Sequence, residues 1–171
     1  KSTKVFLQSK ISNQQLKKTF MSGTKREIVL GVGGGIAAYK ACELLRRLQD
    51  LDFAITVVPT PSSLNFVGSA TWEALSGRSV TTEVWENVEQ VKHVSLADLA
   101  EAIIIAPVTA DLLARLAQGR AEDLLTNVVS ASKAPKFLVP AMHPNMWLNE
   151  STQENVKILR ARGFEIMNPD D

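Results

Sequence analysis

At 171 residues, with 45% hydrophobic and 22% charged residues, the chain has the size and composition of one globular domain with a substantial core. A net charge of +1 argues against a nucleic-acid footprint, and the single cysteine, Cys42, excludes an internal disulfide and a cysteine-clustered metal site. No apolar run approaches the ~20 residues of a membrane span, so the expectation is a cytoplasmic protein with no membrane and no metal.

Residues 1–25 form a basic N-terminal arm. Its six lysines (Lys1, Lys4, Lys10, Lys17, Lys18, Lys25) stand with no acidic residue among them. Val5, Phe6, Leu7, Ile11 and Leu16 are scattered and do not build the continuous apolar core of a secretory signal. Met21-Ser22-Gly23 reads as a natural start. The arm is expected to be poorly ordered unless a partner subunit holds it.

The stretch that organises the rest is Ile28–Lys40. Four residues of buried-strand type lead into Gly31, Gly33, Gly34 and Gly35, and a helix follows at once. Glycine lets the backbone turn tightly and approach a ligand, and the helix start behind it offers unpaired N–H groups to an anion. The dinucleotide fingerprint fails because Ile36 stands where its last glycine belongs, and a P-loop fails because Tyr39 and Ala41 flank Lys40. A tight strand–helix connection without a ligand is the competing reading.

Cys42–Gln49 carries Leu44, Leu45 and Leu48 at helical spacing. Phe53–Val58 is a second apolar strand, ended by Pro59-Thr60-Pro61-Ser62-Ser63. This hydroxyl-rich loop serves either to contact a ligand or to cap a helix through Ser62 or Ser63. Val67–Leu75 reads as a helix with Trp72 exposed or at an interface, closed by Ser76-Gly77.

Ala102–Ala106 has no polar alternation, as expected of a strand buried on both faces of a parallel sheet. It runs into Pro107-Val108-Thr109-Ala110-Asp111, a polar turn at a strand's carboxyl end, with helices expected around Leu112–Ala117 and Leu124–Ser132. Lys136–Val139 is another short strand, Ser151 to Glu154 a capping box for a helix stopping at Gly163, and Phe164–Met167 a last strand. The fold class that follows is α/β, a doubly wound, Rossmann-like parallel sheet, with its ligand at the carboxyl ends of the strands.

Several separated segments together resemble the flavin-dependent cysteine decarboxylases, and among them those acting on 4′-phosphopantothenoylcysteine. The matching segments are Gly33-Gly34-Gly35-Ile36-Ala37-Ala38, His93 ahead of a buried strand, Ala106–Asp111 with Asp123-Leu124-Leu125-Thr126, and Pro140-Ala141-Met142-His143-Pro144-Asn145-Met146-Trp147. The resemblance runs from Glu27 to the end of the sequence.

The resemblance implies FMN as cofactor, contacted by Gly34, Gly35, Ile36, Ser62, Thr109, Ala110, Asp111, Leu112 and Ala141. It implies His93 as the catalytic base that takes the substrate thiol proton, and His143 and Met146 as substrate-binding residues. A base is needed because a thiol of pKa ~8.5 is mostly protonated near neutrality. The implied reaction oxidises the substrate's β-carbon, loses carbon dioxide through a thioaldehyde and reduces the resulting enethiol to 4′-phosphopantetheine, in coenzyme A biosynthesis.

The sequence departs from the family pattern at three places. Thr109-Ala110-Asp111-Leu112 stands where Ser-Ala-Asn-Thr is usual, which removes an amide donor and a hydroxyl. His143 replaces the asparagine of Pro-Ala-Met-Asn and brings a group that titrates near neutrality. The family's substrate clamp, with its reactive cysteine, falls after Asp171. Residues 26–171 are therefore expected to be an FMN-binding decarboxylase domain lacking that clamp, completing the final reduction poorly, with Cys42 a core residue and no substitute.

The resemblance also implies a homo-oligomer, trimeric or dodecameric, with the flavin near a subunit boundary and Trp72, Trp85 and Trp147 as interface candidates. A C-terminal synthetase domain often follows such a decarboxylase. The rival readings are a peptidyl-cysteine decarboxylase or a flavin prenyltransferase of the same superfamily, and a non-catalytic flavin-binding regulatory subunit.

Overall fold

Strands rich in β-branched residues build a parallel sheet whose strands are β1 (Arg26–Val32), β2 (Phe53–Pro59), β3 (Ala102–Val108), β4 (Lys136–Pro140) and β5 (Phe164–Ile166). The computed structural model describes residues 26–82 and 92–169, so the basic arm and Trp85 lie outside the described residues. The five-stranded sheet has the order β2-β1-β3-β4-β5, and every pairing is parallel. The direction of winding reverses between β1 and β3, and open α/β sheets bind their ligands in the crevice at such a switch point.

The central strand β3 is buried along its whole length, which is what its unbroken apolar run demands. On one face α1 (Ala38–Asp50) and α2 (Ser69–Ser76) pack over Ile28, Leu30, Ile55, Val57 and Ile104. On the other, α3 (Lys92–Leu99), α4 (Ala110–Gln118), α5 (Leu124–Ala131) and α7 (Glu150–Ala161) pack over Val29, Ile103, Ile105 and Leu138. The single-turn helix α6 (Pro144–Trp147) leads into α7. Helix α1 turns Ala38, Ala41, Leu45 and Leu48 inward, so it starts in small residues ahead of the visible leucine spacing. Cys42 packs half-buried against the same cluster, as expected of a core residue.

Two local expectations are corrected, and one helix is new. Trp72, read as exposed or interfacial, is fully buried, and its indole Nε1–H donates to the Val67 carbonyl at 3.1 Å. Helix α2 is short, and one large ring supplies most of the apolar area it needs to hold to the sheet. The capping box at Ser151 to Glu154 is absent, because the helix begins earlier. Asn149 is the N-cap, and its side-chain carbonyl accepts the Ser151 N–H at 3.0 Å. Helix α3, with its weak apolar pattern, was not expected at all.

Replacing Trp72 with alanine leaves a large cavity under α2 and an unpaired Val67 carbonyl. The expected loss is about 3–5 kcal/mol of folding stability in a denaturant titration. An interfacial tryptophan would leave the isolated subunit's stability nearly unchanged.

Candidate functional site

The carboxyl edge of the sheet is joined by hydrogen bonds between the turns that leave the strands. Thr60, directly after β2, donates both its N–H (2.9 Å) and its hydroxyl (3.1 Å) to the Val32 carbonyl at the end of β1. The Gly33 N–H donates to the Pro107 carbonyl on β3 at 2.9 Å, and the Ala141 N–H after β4 donates to the Val108 carbonyl at 3.1 Å. A register shift in the β3–β4 ladder between Ile105 and Val108 brings Val108 opposite Pro140. The turns after β1, β2, β3 and β4 thus form one connected edge.

Glycine is required in the first of these turns by close approach. A Cβ on Gly33 would stand 2.4 Å from the Pro107 carbonyl oxygen, and one on Gly34 would stand 2.2 Å from Ser62 Oγ and 3.0 Å from the Ser62 carbonyl carbon. On Gly35 it would meet only Thr109 Cγ2 at 3.4 Å, an ordinary contact. Helix α1 then starts at Ala38, its N-cap Ala37 making no side-chain cap bond, and the N–H groups of Gly34, Ile36 and Ala37 have no partner among the described residues. Unpaired N–H groups at the positive end of a 13-residue helix suit a phosphate.

The expected cofactor residues fall into three groups. Gly34, Gly35, Ser62 and Thr109 come together around the glycine turn. Ala110 and Asp111, which open α4, and Ala141 after β4 flank it, and Ile36 is 80% exposed at its rim. Leu112 does not share this exposure: its side chain is fully buried behind Gly33, and its N–H is taken by Thr109 Oγ1 at 3.2 Å. The hydroxyl-rich loop divides in the same way. Thr60 and Ser63 are buried, with the Ser63 hydroxyl bonded to the Thr60 carbonyl at 2.8 Å, and Ser62 alone of the two serines stays exposed.

His143 is exposed at the N-cap of α6, where its Nδ1 accepts the Asn145 N–H at 3.2 Å. A neutral ring bonded this way carries its proton on Nε2, which leaves one N–H to donate. Met146 lies half-exposed on the same turn. His93 stands apart, in the first turn of α3 on the opposite face of the sheet from α1. Its Nδ1 is enclosed and has no hydrogen-bond partner among the described residues. A groove of about 840 Å³ runs along α1 from Ala37 past Leu44 and Leu48, and its far wall is formed by Pro107, Ala141 and Met142. His93 is not part of it.

Arg115 escaped the sequence reading. Its Nε donates to Asp111 at 3.0 Å and its Nη1 to Asp123 at 2.8 Å, with Asp123 almost fully buried. Asp123 caps α5 in a reciprocal box with Thr126. Burial works against the Arg115 charge, but the hydrogen bond and charge of Asp123, joined by Asp111, outweigh it and raise the pKa above its ordinary value. The spacing of Asp111 and Arg115, one helical turn apart, was the available signal. By contrast, burial pushes the Cys42 thiol up, with Arg46 only partly opposing, so it is not an activated thiolate.

A doubly wound parallel sheet with a glycine cradle at its switch point defines a mononucleotide-binding class of α/β protein. Within that class the chain belongs to the Flavoprotein family, whose model matches residues 17–171. The coenzyme A biosynthesis bifunctional protein CoaBC of Mycolicibacterium smegmatis is 51% identical over 149 residues, which cover 87% of this chain and 36% of that protein. Among solved structures, the FMN-dependent cysteine decarboxylase SpaF superposes with a TM-score of 0.78 at 30% identity, covering 82% of each chain. A PPC decarboxylase mutant complexed with pantothenoylaminoethenethiol gives a TM-score of 0.76 at 27% identity, covering 84% of this chain and 82% of that one. The chain spans about a third of the length of the CoaBC relatives it matches.

Two alanine substitutions separate close approach from mere flexibility. Gly33→Ala drives a Cβ into the Pro107 carbonyl and is expected to cost on the order of 1–3 kcal/mol. Gly35→Ala has room, and is expected to leave stability unchanged or raise it by up to about 1 kcal/mol. Thermal denaturation of the two variants side by side measures the difference.

Proposed function

We propose that this chain binds FMN and catalyses decarboxylation of 4′-phosphopantothenoylcysteine to 4′-phosphopantetheine, a step of coenzyme A biosynthesis. The observation that carries the reading is the glycine cradle: Pro107 of β3 and Ser62 of the turn after β2 approach Gly33 and Gly34 so closely that no side chain fits. The uncapped start of α1 stands directly behind it. The half-sequence identity to a CoaBC protein favours this substrate over a peptidyl cysteine. The matched segment covers only 36% of that CoaBC protein, which supports a fused synthetase domain in the full-length protein. A flavoprotein of this class without a membrane-spanning helix among the described residues fits a cytoplasmic setting.

The residues present fit FMN. The free N–H groups of Gly34, Ile36 and Ala37 take the phosphate, the Ser62 hydroxyl, now paired with Thr60 Oγ1 at 3.2 Å, turns its proton to it, and Thr109, Ala110, Asp111 and Ala141 line the approach to the ring. When bound, FMN supplies the two-electron oxidation at the substrate's β-carbon that opens the route to decarboxylation. His93 takes the thiol proton, and His143 holds the substrate carboxylate through its Nε2–H, with Met146 alongside. Leu112 acts from behind, as the packing under Gly33. Because His93 does not line the groove beside α1, the reading places the reacting edge at a boundary between subunits of a trimer or dodecamer. The half-exposed Met146 and the exposed Ile36 and Tyr39 belong to that boundary.

Three measurements test the reading. The purified protein, mixed with FMN, is expected to retain a yellow chromophore through gel filtration, and a colourless protein overturns the assignment. His93→Asn keeps a polar group near the position of Nδ1 but removes the base, and is expected to retain flavin while losing ~10²–10⁴-fold in turnover of 4′-phosphopantothenoylcysteine. Near-normal turnover would remove His93 from the mechanism. Light scattering at micromolar concentration is expected to give a multiple of three subunits, and a monomer counts against the shared site.

A further inference from the structure

The carboxyl edge is built to accept anions, yet it carries a carboxylate of its own. Asp111 lies in the first turn of α4, directly after Thr109 and Ala110, and its side chain is 76% exposed. Left alone, its charge would repel the phosphate that the neighbouring glycine turn is shaped to receive. The guanidinium of Arg115 meets it one helical turn away, with Nε 3.0 Å from Asp111 Oδ2. The same group reaches Asp123 Oδ2 through Nη1 at 2.8 Å, so the two edges of one planar fork serve two carboxylates.

These two carboxylates differ in what they need. Asp123 is buried and already accepts the Thr126 N–H at 2.9 Å and the Thr126 hydroxyl at 2.8 Å, so its position is fixed by the start of α5. That fixed partner, with the surrounding helices leaving Arg115 only 13% exposed, holds the guanidinium in place. Held there, it reaches Asp111 without having to be ordered first. The entropy that makes exposed ion pairs weak is already spent on one side of the bridge.

We propose that Arg115 is a positioning residue of the flavin site: anchored on buried Asp123, it neutralises and orients the Asp111 carboxylate so that the edge remains open to the anionic cofactor. A lysine has one nitrogen and no fork, and could not serve both partners at once. The proposal rests on the reading that FMN binds at this edge.

A double-mutant cycle tests it, with FMN affinity measured by quenching of flavin fluorescence and the midpoint potential of the bound flavin measured beside it. Arg115→Gln is expected to raise the FMN dissociation constant by about tenfold while Asp111 is present, because it frees an uncompensated negative charge at the edge. In the D111N background the same substitution is expected to change it by less than about twofold, since no charge is left to neutralise. The potential is expected to fall in R115Q, where a bare carboxylate opposes flavin reduction, and to return in the R115Q/D111N protein. Equal fold-changes in both backgrounds would assign Arg115 to the cap of α5 alone and overturn the proposal.

If R115Q does not fold, because Asp123 is then buried without its partner, Arg115→Lys takes its place. It keeps a cation for Asp123 and is expected to show the same dependence on Asp111 at smaller amplitude. An unsubstituted protein with no affinity for FMN would instead strike at the flavin reading, and this inference would fall with it. That result is distinguishable from equal fold-changes in a protein that does bind.

Discussion

The hydrogen bond from the Gly33 N–H to the Pro107 carbonyl, 2.9 Å long, is the constraint on which the rest of the carboxyl edge depends. It ties the turn after β1 to the last residues of β3, the two strands between which the winding of the sheet reverses. No residue with a Cβ can occupy position 33 without displacing that carbonyl, and position 34 is closed in the same way by Ser62. Once the turn is seated, α1 must start beside it, with small residues Ala38 and Ala41 facing the sheet. The uncapped N–H groups at that helix start are therefore a consequence of the packing and are available to a ligand without rearrangement.

A second constraint runs through the opposite layer. Asp123 and Thr126 cap α5 reciprocally, and Leu125 on that helix packs against the position where a Gly31 side chain would stand. Strand β1 is thus held close from both faces, by Leu125 on one and by α1 on the other. The Ser132 hydroxyl at the end of α5 donates to the Ala97 carbonyl at 2.9 Å, which fixes α3 against α5. His93 is therefore placed by a helix held by this hydrogen bond together with the packing of Leu96, Ala97 and Ala100 into the core. A weakly amphipathic segment such as Lys92–Leu99 needs that kind of support.

The legible part of the sequence was the part governed by the chain's own neighbours. The unbroken apolar run of β3, the glycine cluster and the turns after each strand could all be read directly, because burial on both faces and close backbone approach leave residue-type signatures. What could not be read depends on partners far away in the chain. Trp72 looks like any aromatic near a helix end until the sheet is beneath it. Leu112 looks like a replacement for a ligand hydroxyl until Gly33 is found in front of it. The loop Thr60–Ser63 looks uniformly polar, yet two of its hydroxyls are spent on holding the turn and only Ser62 faces outward. Arg115 reads as a solvated helix residue because its second carboxylate is eight positions on, past the end of α4.

The division of labour between backbone and side chains explains how this edge accommodates Asp111 and His143 beside the glycine turn. The N–H groups of Gly34, Ile36 and Ala37, which have no partner among the described residues, belong to the main chain, and no substitution at position 111 or 143 alters them. A carboxylate at 111 is admissible because a cation is already fixed one turn below it. A histidine at 143 is admissible because its Nδ1 takes over the capping of α6, which leaves Nε2–H as the remaining donor. Change is thus confined to side chains whose new charge or hydrogen bond has a partner waiting. Gly33 and Gly34 have no such freedom, since a Cβ would meet the Pro107 carbonyl of β3 at the first position and the side chain and backbone of Ser62 at the second. The requirement at the cradle is steric, and the requirement around it is electrostatic. Only the second can be met by more than one kind of residue.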